Sequence, residues 1–416
     1  MFKTCIMMAA VCFALTGASS TLAEEEPEGC RNGDCVISFE NGTVDSRGFL
    51  ADNNDKTGYS VRPENFMTVT LPEQSDIRQV YIRFLYFPDP FQLLYFDADG
   101  NQISSRYFGA GDEEFPSKSE LSFCEYLDQV PEGCASIQLH LDTALKVVEF
   151  QLLTEDAPVR DTLIHMEDPY EQADILFVVA HPDDEHIMMG GIIPLYESLY
   201  GVRVQLVYMT CSERERRLEA LQGITINGEK HMPVILYLPD LAVYDLKLGV
   251  SVWTGLEIDP VKELVEQVRR FRPKVIVTHD IKGEYGHGAH CATAYFLQQV
   301  MELAADPEAY PESAEKYGVW STQKLYLHLC REGEPTVIRI DDPIAAFDGK
   351  SGFEMAQLGL EPHLRSQRQA WRYLLANRNW DPSSYSLDAS AVGKDIRKTD
   401  FMEHIQRISP IRGAGQ

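Results

Sequence analysis

Two stretches of this chain gather imidazoles and carboxylates densely enough for metal chemistry. The first, His181-Pro-Asp-Asp-Glu-His186, follows the apolar run Ile175-Leu-Phe-Val-Val-Ala180. The second, Thr278-His-Asp-Ile-Lys-Gly-Glu-Tyr-Gly-His-Gly-Ala-His290, follows Val275-Ile-Val277. Imidazole and carboxylate together are zinc ligands. His181 and Asp184 are three residues apart, as are His287 and His290, so one helical turn brings each pair to one face. Three protein ligands plus water make an open catalytic site, and a carboxylate beside the metal can act as base. Each piece also has a plainer use: a histidine at a strand end caps or lies on the surface, and Asp-Asp often caps a helix. Six polar residues in a row after a buried strand, met twice, favour the metal reading.

The elements that must position these groups alternate between strand and helix from about Ala173 onward. Ile175–Ala180 is continuously apolar, as a strand buried on both faces must be. Val202–Tyr208, Val234–Leu238, Val275–Val277 and Leu325–Leu327 read as further strands, and Glu213–Leu221 as a charged helix. Asp259-Pro260 opens a helix through Phe271, with Asp as cap and Pro at the first helical position; Val261, Leu264, Val265 and Val268 keep helical spacing. Repeated β–α units predict a parallel, Rossmann-like sheet covered by helices on both faces. Ligands of such sheets bind at the carboxyl ends of the strands, where both clusters fall.

Val179-Ala-His-Pro-Asp-Asp-Glu185, followed by Gly283-Glu-Tyr-Gly-His-x-x-His290, resembles the GlcNAc-phosphatidylinositol de-N-acetylase (PIG-L/LmbE-like) family. The resemblance runs from about Asp174 to the C-terminus. Arg216-x-x-Glu219, Pro239-Asp240, His363-x-x-Ser-Gln367 and Asp395-Ile-Arg-Lys-Thr-Asp-Phe401 also look familial. It implies a zinc-dependent hydrolase that removes acetyl from an N-acetylglucosamine-type amide, on a polymeric glycan or a glycoconjugate; Fe2+ is not distinguished from Zn2+. It implies His181, Asp184 and His290 as metal ligands, and Asp183 as general base. It also implies His287, assisted by Tyr285, as donor to the oxyanion or aid to the leaving amine. Arg216 is implied as a sugar contact, and Glu185 joins it as a substrate-side candidate. His186 and His279 either line the pocket or are structural, and His363 could close over the site. The chemistry fits: zinc lowers the pKa of its water to about 7, and an amide needs such a nucleophile.

One position departs from the family. The usual His-Pro-Asp-His is His287-Gly-Ala-His290 here, so the carboxylate that would orient His287 is replaced by Ala289. Asp280 and Glu284 are candidates to take over that task. The three ligands and the base remain, which predicts activity; the rival expectation is a catalytically inactive carbohydrate-binding protein on the same fold.

The N-terminal part is different. Met1–Ala23 reads as a secretory signal: Lys3 is its basic start, and the apolar run Cys5–Gly17 is too short to span a bilayer. A secreted or cell-surface protein follows, and no later run of 18 apolar residues suggests a membrane span. The expected domains are 1–23 (signal), 24–155 (a smaller all-β sandwich) and 156–416 (deacetylase). Alternating strands such as Phe66–Leu71, Val80–Tyr86, Ser136–Leu141 and Val147–Leu152 support the sandwich. Leu50-Ala-Asp-Asn-Asn-Asp-Lys-Thr57 resembles the opening of a discoidin or galactose-binding-like module. That likeness makes Tyr59, Tyr86, Phe87 and Tyr95 candidate glycan contacts, with most of them expected in the core. Asp52, Asn54 and Asp55 could hold Ca2+ or form a plain turn. Export permits disulfides, with Cys30–Cys35 and Cys124–Cys134 as candidate pairs. Acidic residues outnumber basic ones 64 to 37 among 416 residues, and the net charge is −27. Phosphate neutralisation, and hence nucleic-acid binding, needs the opposite balance.

Overall fold

The computed structural model describes residues 28–54, 56–108, 123–158, 164, 166–211, 213–364 and 369–408. The signal segment 1–23, Asp55, Ser366 and Gln367 lie outside the described residues. Two compact units emerge, one of residues 28–107 and 125–158, the other chiefly of residues 164–408.

The first unit is all β. One sheet has the order β1-β3-β8-β5-β6 (Val36–Phe39, Met67–Thr70, Ser136–Leu141, Phe91–Phe96, Gln102–Phe108). The other has the order β2-β9-β4-β7 (Tyr59–Val61, Leu145–Thr154, Ile77–Phe84, Glu125–Gln129). Phe84 of β4 and Tyr126 of β7 meet Phe91 of β5 edge-on at 5.0 and 4.9 Å, joining the sheets through an aromatic core. Tyr95 is buried in that core and bonds Asp128, so it is no glycan contact. Tyr59 bonds Asp45 through its hydroxyl, whereas Tyr86 is exposed. Asp52 accepts from Asn54 N and the Thr57 hydroxyl, as a plain turn does. The candidate disulfides are not formed: the Cys30 thiol donates to Asn32 Oδ1 and the Cys134 thiol to Ser136 O.

The second unit is built on a seven-stranded sheet, β12-β11-β10-β13-β14-β16-β15. β10 (Ile175–Val179), β11 (Val204–Thr210), β12 (Val234–Leu238), β13 (Val275–Thr278) and β14 (Lys324–His328) run parallel. β16 (Ser384–Ser390) and β15 (Thr336–Val337) extend the sheet antiparallel, an addition the strand pattern did not announce. Ile175, Phe177 and Val179 point into one core, Leu176, Val178 and Ala180 into the other. Each such large side chain contributes about 1.5–3 kcal/mol on burial, which is why the run had to be apolar throughout. Asp259 caps the helix Pro260–Phe271 by accepting from Val261 N at 2.9 Å. Among the described residues, no helix is long and apolar enough to cross a membrane.

Candidate metal centre and catalytic cleft

β10 lies between β11 and β13, so the chain leaves it first to one side and later returns on the other. Such a reversal opens a crevice at the carboxyl ends of the strands. His181–His186 follow β10, His279–His290 follow β13, Asp240 follows β12, and Arg216 sits on the helix Arg214–Ile226 after β11. A cleft of about 340 Å³, open to solvent, forms there. His181, Asp183, Asp184, Arg216, Asp240 and His287 supply its polar wall; Ile187, Met188, Tyr285 and Trp371 supply the apolar one.

At its floor three donor atoms form a small triangle. His181 Nδ1 is 3.1 Å from Asp184 Oδ2, His290 Nε2 is 3.3 Å from Asp184 Oδ1, and the two ring nitrogens are 3.2 Å apart. Metal bonds of 2.0–2.2 Å at a tetrahedral angle require edges of about 3.4 Å. Hydrogen-bond partners fix which nitrogens are free. His181 Nε2 donates to Asp240 Oδ1 at 2.9 Å, and His290 Nδ1 donates to Glu284 Oε2 at 2.5 Å. The facing nitrogens therefore carry lone pairs, and a cation between them resolves their repulsion. His279 is equally close to Asp184, but its Nε2 accepts the Ala180 backbone N–H at 2.9 Å. That lone pair is spent, which leaves His279 outside the ligand set.

Residues 176–301 match the family model described as PIG-L: GlcNAc-PI de-N-acetylase. This segment is a PIG-L family domain. One relative is 1D-myo-inositol 2-acetamido-2-deoxy-alpha-D-glucopyranoside deacetylase 1 of Catenulispora acidiphila, 30% identical over 180 residues, which are 36% of this chain and 54% of the relative. Another is mycothiol S-conjugate amidase of Streptomyces coelicolor, 34% identical over 181 residues, 38% of this chain and 60% of the relative. The chain thus spans less than two thirds of the length of these curated relatives. Among solved structures, N,N'-diacetylchitobiose deacetylase from Pyrococcus horikoshii aligns with a TM-score of 0.36 and 18% identity, over 51% of this chain and 79% of that one.

Within the PIG-L domain, Asp183 stands beside the triangle without joining it. Its φ of 136° is rarely adopted by side-chain-bearing residues and costs about 1–3 kcal/mol. The bend is held by Asp183 N donating to Glu185 Oε2 at 2.8 Å. Burial pushes the Asp183 carboxyl above the ordinary range, against the pull of Arg216, whose Nη2 lies 3.4 Å from Oδ2. Asp240 goes the other way: burial opposes its charge, but His181 and Arg216 hold it well below the carboxylate range. Burial, reinforced by His181 and His290, pushes His287 down to about 3, so its ring is neutral.

Glu284 is the hub behind the centre. Its oxygens accept from His279 Nδ1 at 3.0 Å, His290 Nδ1 at 2.5 Å and His328 Nδ1 at 2.9 Å. Burial opposes its charge, yet His279 and His290 hold it well below the carboxylate range. His328 was not anticipated, although it ends a parallel strand, where site residues are expected.

Four expectations change. Glu185 does not line the cleft; it lies buried beneath it, accepting from Tyr208 OH at 2.6 Å as well as from Asp183 N. His363 does not close over the site but packs beneath it against His186, with ring centroids 5.5 Å apart. His186 is buried there too, bonded to Asn227. The task left by Ala289 is not taken over: Asp280 bonds Arg331 at 2.6 Å, Glu284 holds three other histidines, and His287 Nδ1 has no hydrogen-bond partner. Asp240 and Trp371 are the cleft residues left out of the expected site; Trp371 lies on the helix Gln369–Ala376, where no motif marks it.

The buried histidines make stability depend on pH. Burial, with Arg216 and Arg372, pushes His363 from 6.5 to about 3. Between those values the unfolded chain binds a proton that the folded chain refuses, so stability is full above pH 6.5 and falls as pH drops toward 3. The slope is about 1.4 kcal/mol per pH unit for one such group. Urea midpoints at pH 7 and pH 5 are expected to differ less in His363→Gln than in the wild type.

Proposed function

We propose that the chain is an exported, metal-dependent N-deacetylase that hydrolyses the acetamide of an N-acetylglucosamine-type sugar. The observation that carries this reading is the triangle of His181, Asp184 and His290, with the Asp183 carboxylate beside it in an open cleft. Zn2+ or Fe2+ held by those three residues would supply Lewis acidity to the amide carbonyl and acidify a water.

The remaining work belongs to side chains. Asp183, with its raised pKa, takes a proton from the attacking water as a C–O bond forms. The same carboxyl then delivers that proton to nitrogen as the C–N bond breaks, giving acetate and a free amine. Neutral His287 donates a hydrogen bond to the oxygen on which charge develops. Burial raises the Tyr285 hydroxyl well above 10, so it stays protonated as a second donor. Arg216 and Asp240 offer hydrogen bonds to sugar hydroxyls.

Mature protein loaded with Zn2+ is expected to release acetate from N-acetylglucosamine oligomers. A chelator abolishes release and added metal restores it; acetate release that survives complete metal removal overturns the reading. Metal at 100 times its Kd stabilises the fold by about 2.7 kcal/mol, visible as a rise in Tm. The partnerless Nδ1 of His287 beside Ala289 favours a second reading, a carbohydrate-binding protein without turnover. Metal-loaded protein that binds these oligomers and releases no acetate would establish it.

A further inference from the structure

We propose that an aromatic band at the mouth of the cleft is a subsite for a second pyranose ring, so that the sugar deacetylated is linked to another sugar. The proposal rests on the deacetylase reading and names its substrate class.

The band is assembled from three separate elements. Tyr244 comes from the loop between β12 and the helix Leu246–Thr254, Tyr285 from the loop after β13, and Trp371 from the helix Gln369–Ala376. Tyr244 stands edge-on to His287, with centroids 5.5 Å apart and planes at 90°. It lies 6.2 Å from Tyr285, which in turn lies 5.4 Å from Trp371. The run is longer than one six-membered ring. Trp380 backs it at 5.6 Å from Tyr285 and is held by donation to Glu284 O.

Tyr244 is 68% exposed although it abuts a buried histidine of the site. Folding gains little from a ring so placed, and an aromatic face beside a few directed polar groups is what a ligand with one apolar and one hydroxylated side requires. A pyranose has both: axial C–H groups on its face and hydroxyls on its rim. The hydroxyl partners stand in the same cleft. Asp240, with 52% of its side chain exposed, places Oδ2 3.6 Å from Arg216 Nη1. An acyl chain would instead need a continuous aliphatic wall, and only Ile187 and Met188 line the cleft with aliphatic surface.

The test measures binding to the metal-loaded full chain carrying Asp183→Asn, followed by calorimetry. The probes are N-acetylglucosamine, its β-1,4 dimer and its octyl β-glycoside. The dimer is expected to bind about tenfold tighter than the monomer, and Tyr244→Ala to narrow that ratio to about twofold, the scale of one aromatic contact. Tyr244→Phe, which keeps the ring, is expected to restore the ratio. Equal affinity for monomer and dimer overturns the subsite, as does a ratio indifferent to Tyr244→Ala. An equal gain from the octyl chain overturns the assignment to a sugar. Binding requires no turnover: an intact ratio in a protein that releases no acetate supports the subsite and removes only the deacetylase reading. Acetate release at equal kcat/KM on monomer and dimer removes the subsite alone.

Discussion

Asp183→Asn is expected to lower kcat for acetate release by about 10²–10⁴-fold, the usual contribution of a positioned general base. The change is nearly isosteric. The amide still fills the position set by the unusual φ of 136°, and Arg216 keeps a neighbour there. What disappears is the ability to take the proton from water and return it to the leaving nitrogen. Asp183 is not a corner of the triangle of His181, Asp184 and His290, so metal stoichiometry is expected to stay at its wild-type value. Asp184→Asn, by contrast, alters a corner and is expected to lower metal affinity. Rate measured beside metal content separates the two roles. Full activity in Asp183→Asn would remove the residue from the mechanism.

Glu284→Gln is the second large effect. One buried carboxylate orients His290, His279 and His328 together. The donation from His290 Nδ1 puts the lone pair on Nε2, facing the metal position, and makes the ring a stronger ligand. Loss of such an outer partner costs about 10–100-fold in metal affinity. The folded state suffers as well, because breaking a buried charged network costs about 3–5 kcal/mol. Gln offers one oxygen where Glu284 used two, and its amide N–H faces rings that already donate. Metal affinity by chelator competition and Tm are expected to fall together. A drop in Tm with unchanged affinity would make Glu284 structural only.

Much of the site was legible because its chemistry is local. His181, Asp183 and Asp184 lie within four residues, and the apolar run before them announced a strand buried on both faces. The second cluster carried the same signal, and parallel β–α units place both at neighbouring strand ends. The fate of Ala289 was less legible. Its neighbours in sequence named Asp280 and Glu284 as substitutes, but Arg331 occupies one and three histidines the other. His363 was misread because its motif is polar, and a polar motif suggests exposure. In the fold its ring is buried against His186, a placement that no local pattern encodes.

The sequence by itself determined the residue types at the metal position, the base, and the strand ends that present them. Those depend on short-range order: a backbone period of two, a helical turn of three to four residues, and motifs a few residues long. Only the tertiary structure decided which ring nitrogens are free. His181 and His290 face each other across 109 residues of chain. Their tautomers follow from Asp240 and Glu284, and His279 is set aside by the backbone N–H of Ala180. A histidine has two nitrogens and one neutral proton. Where that proton sits depends on partners that only the closed sheet brings within 3 Å or so.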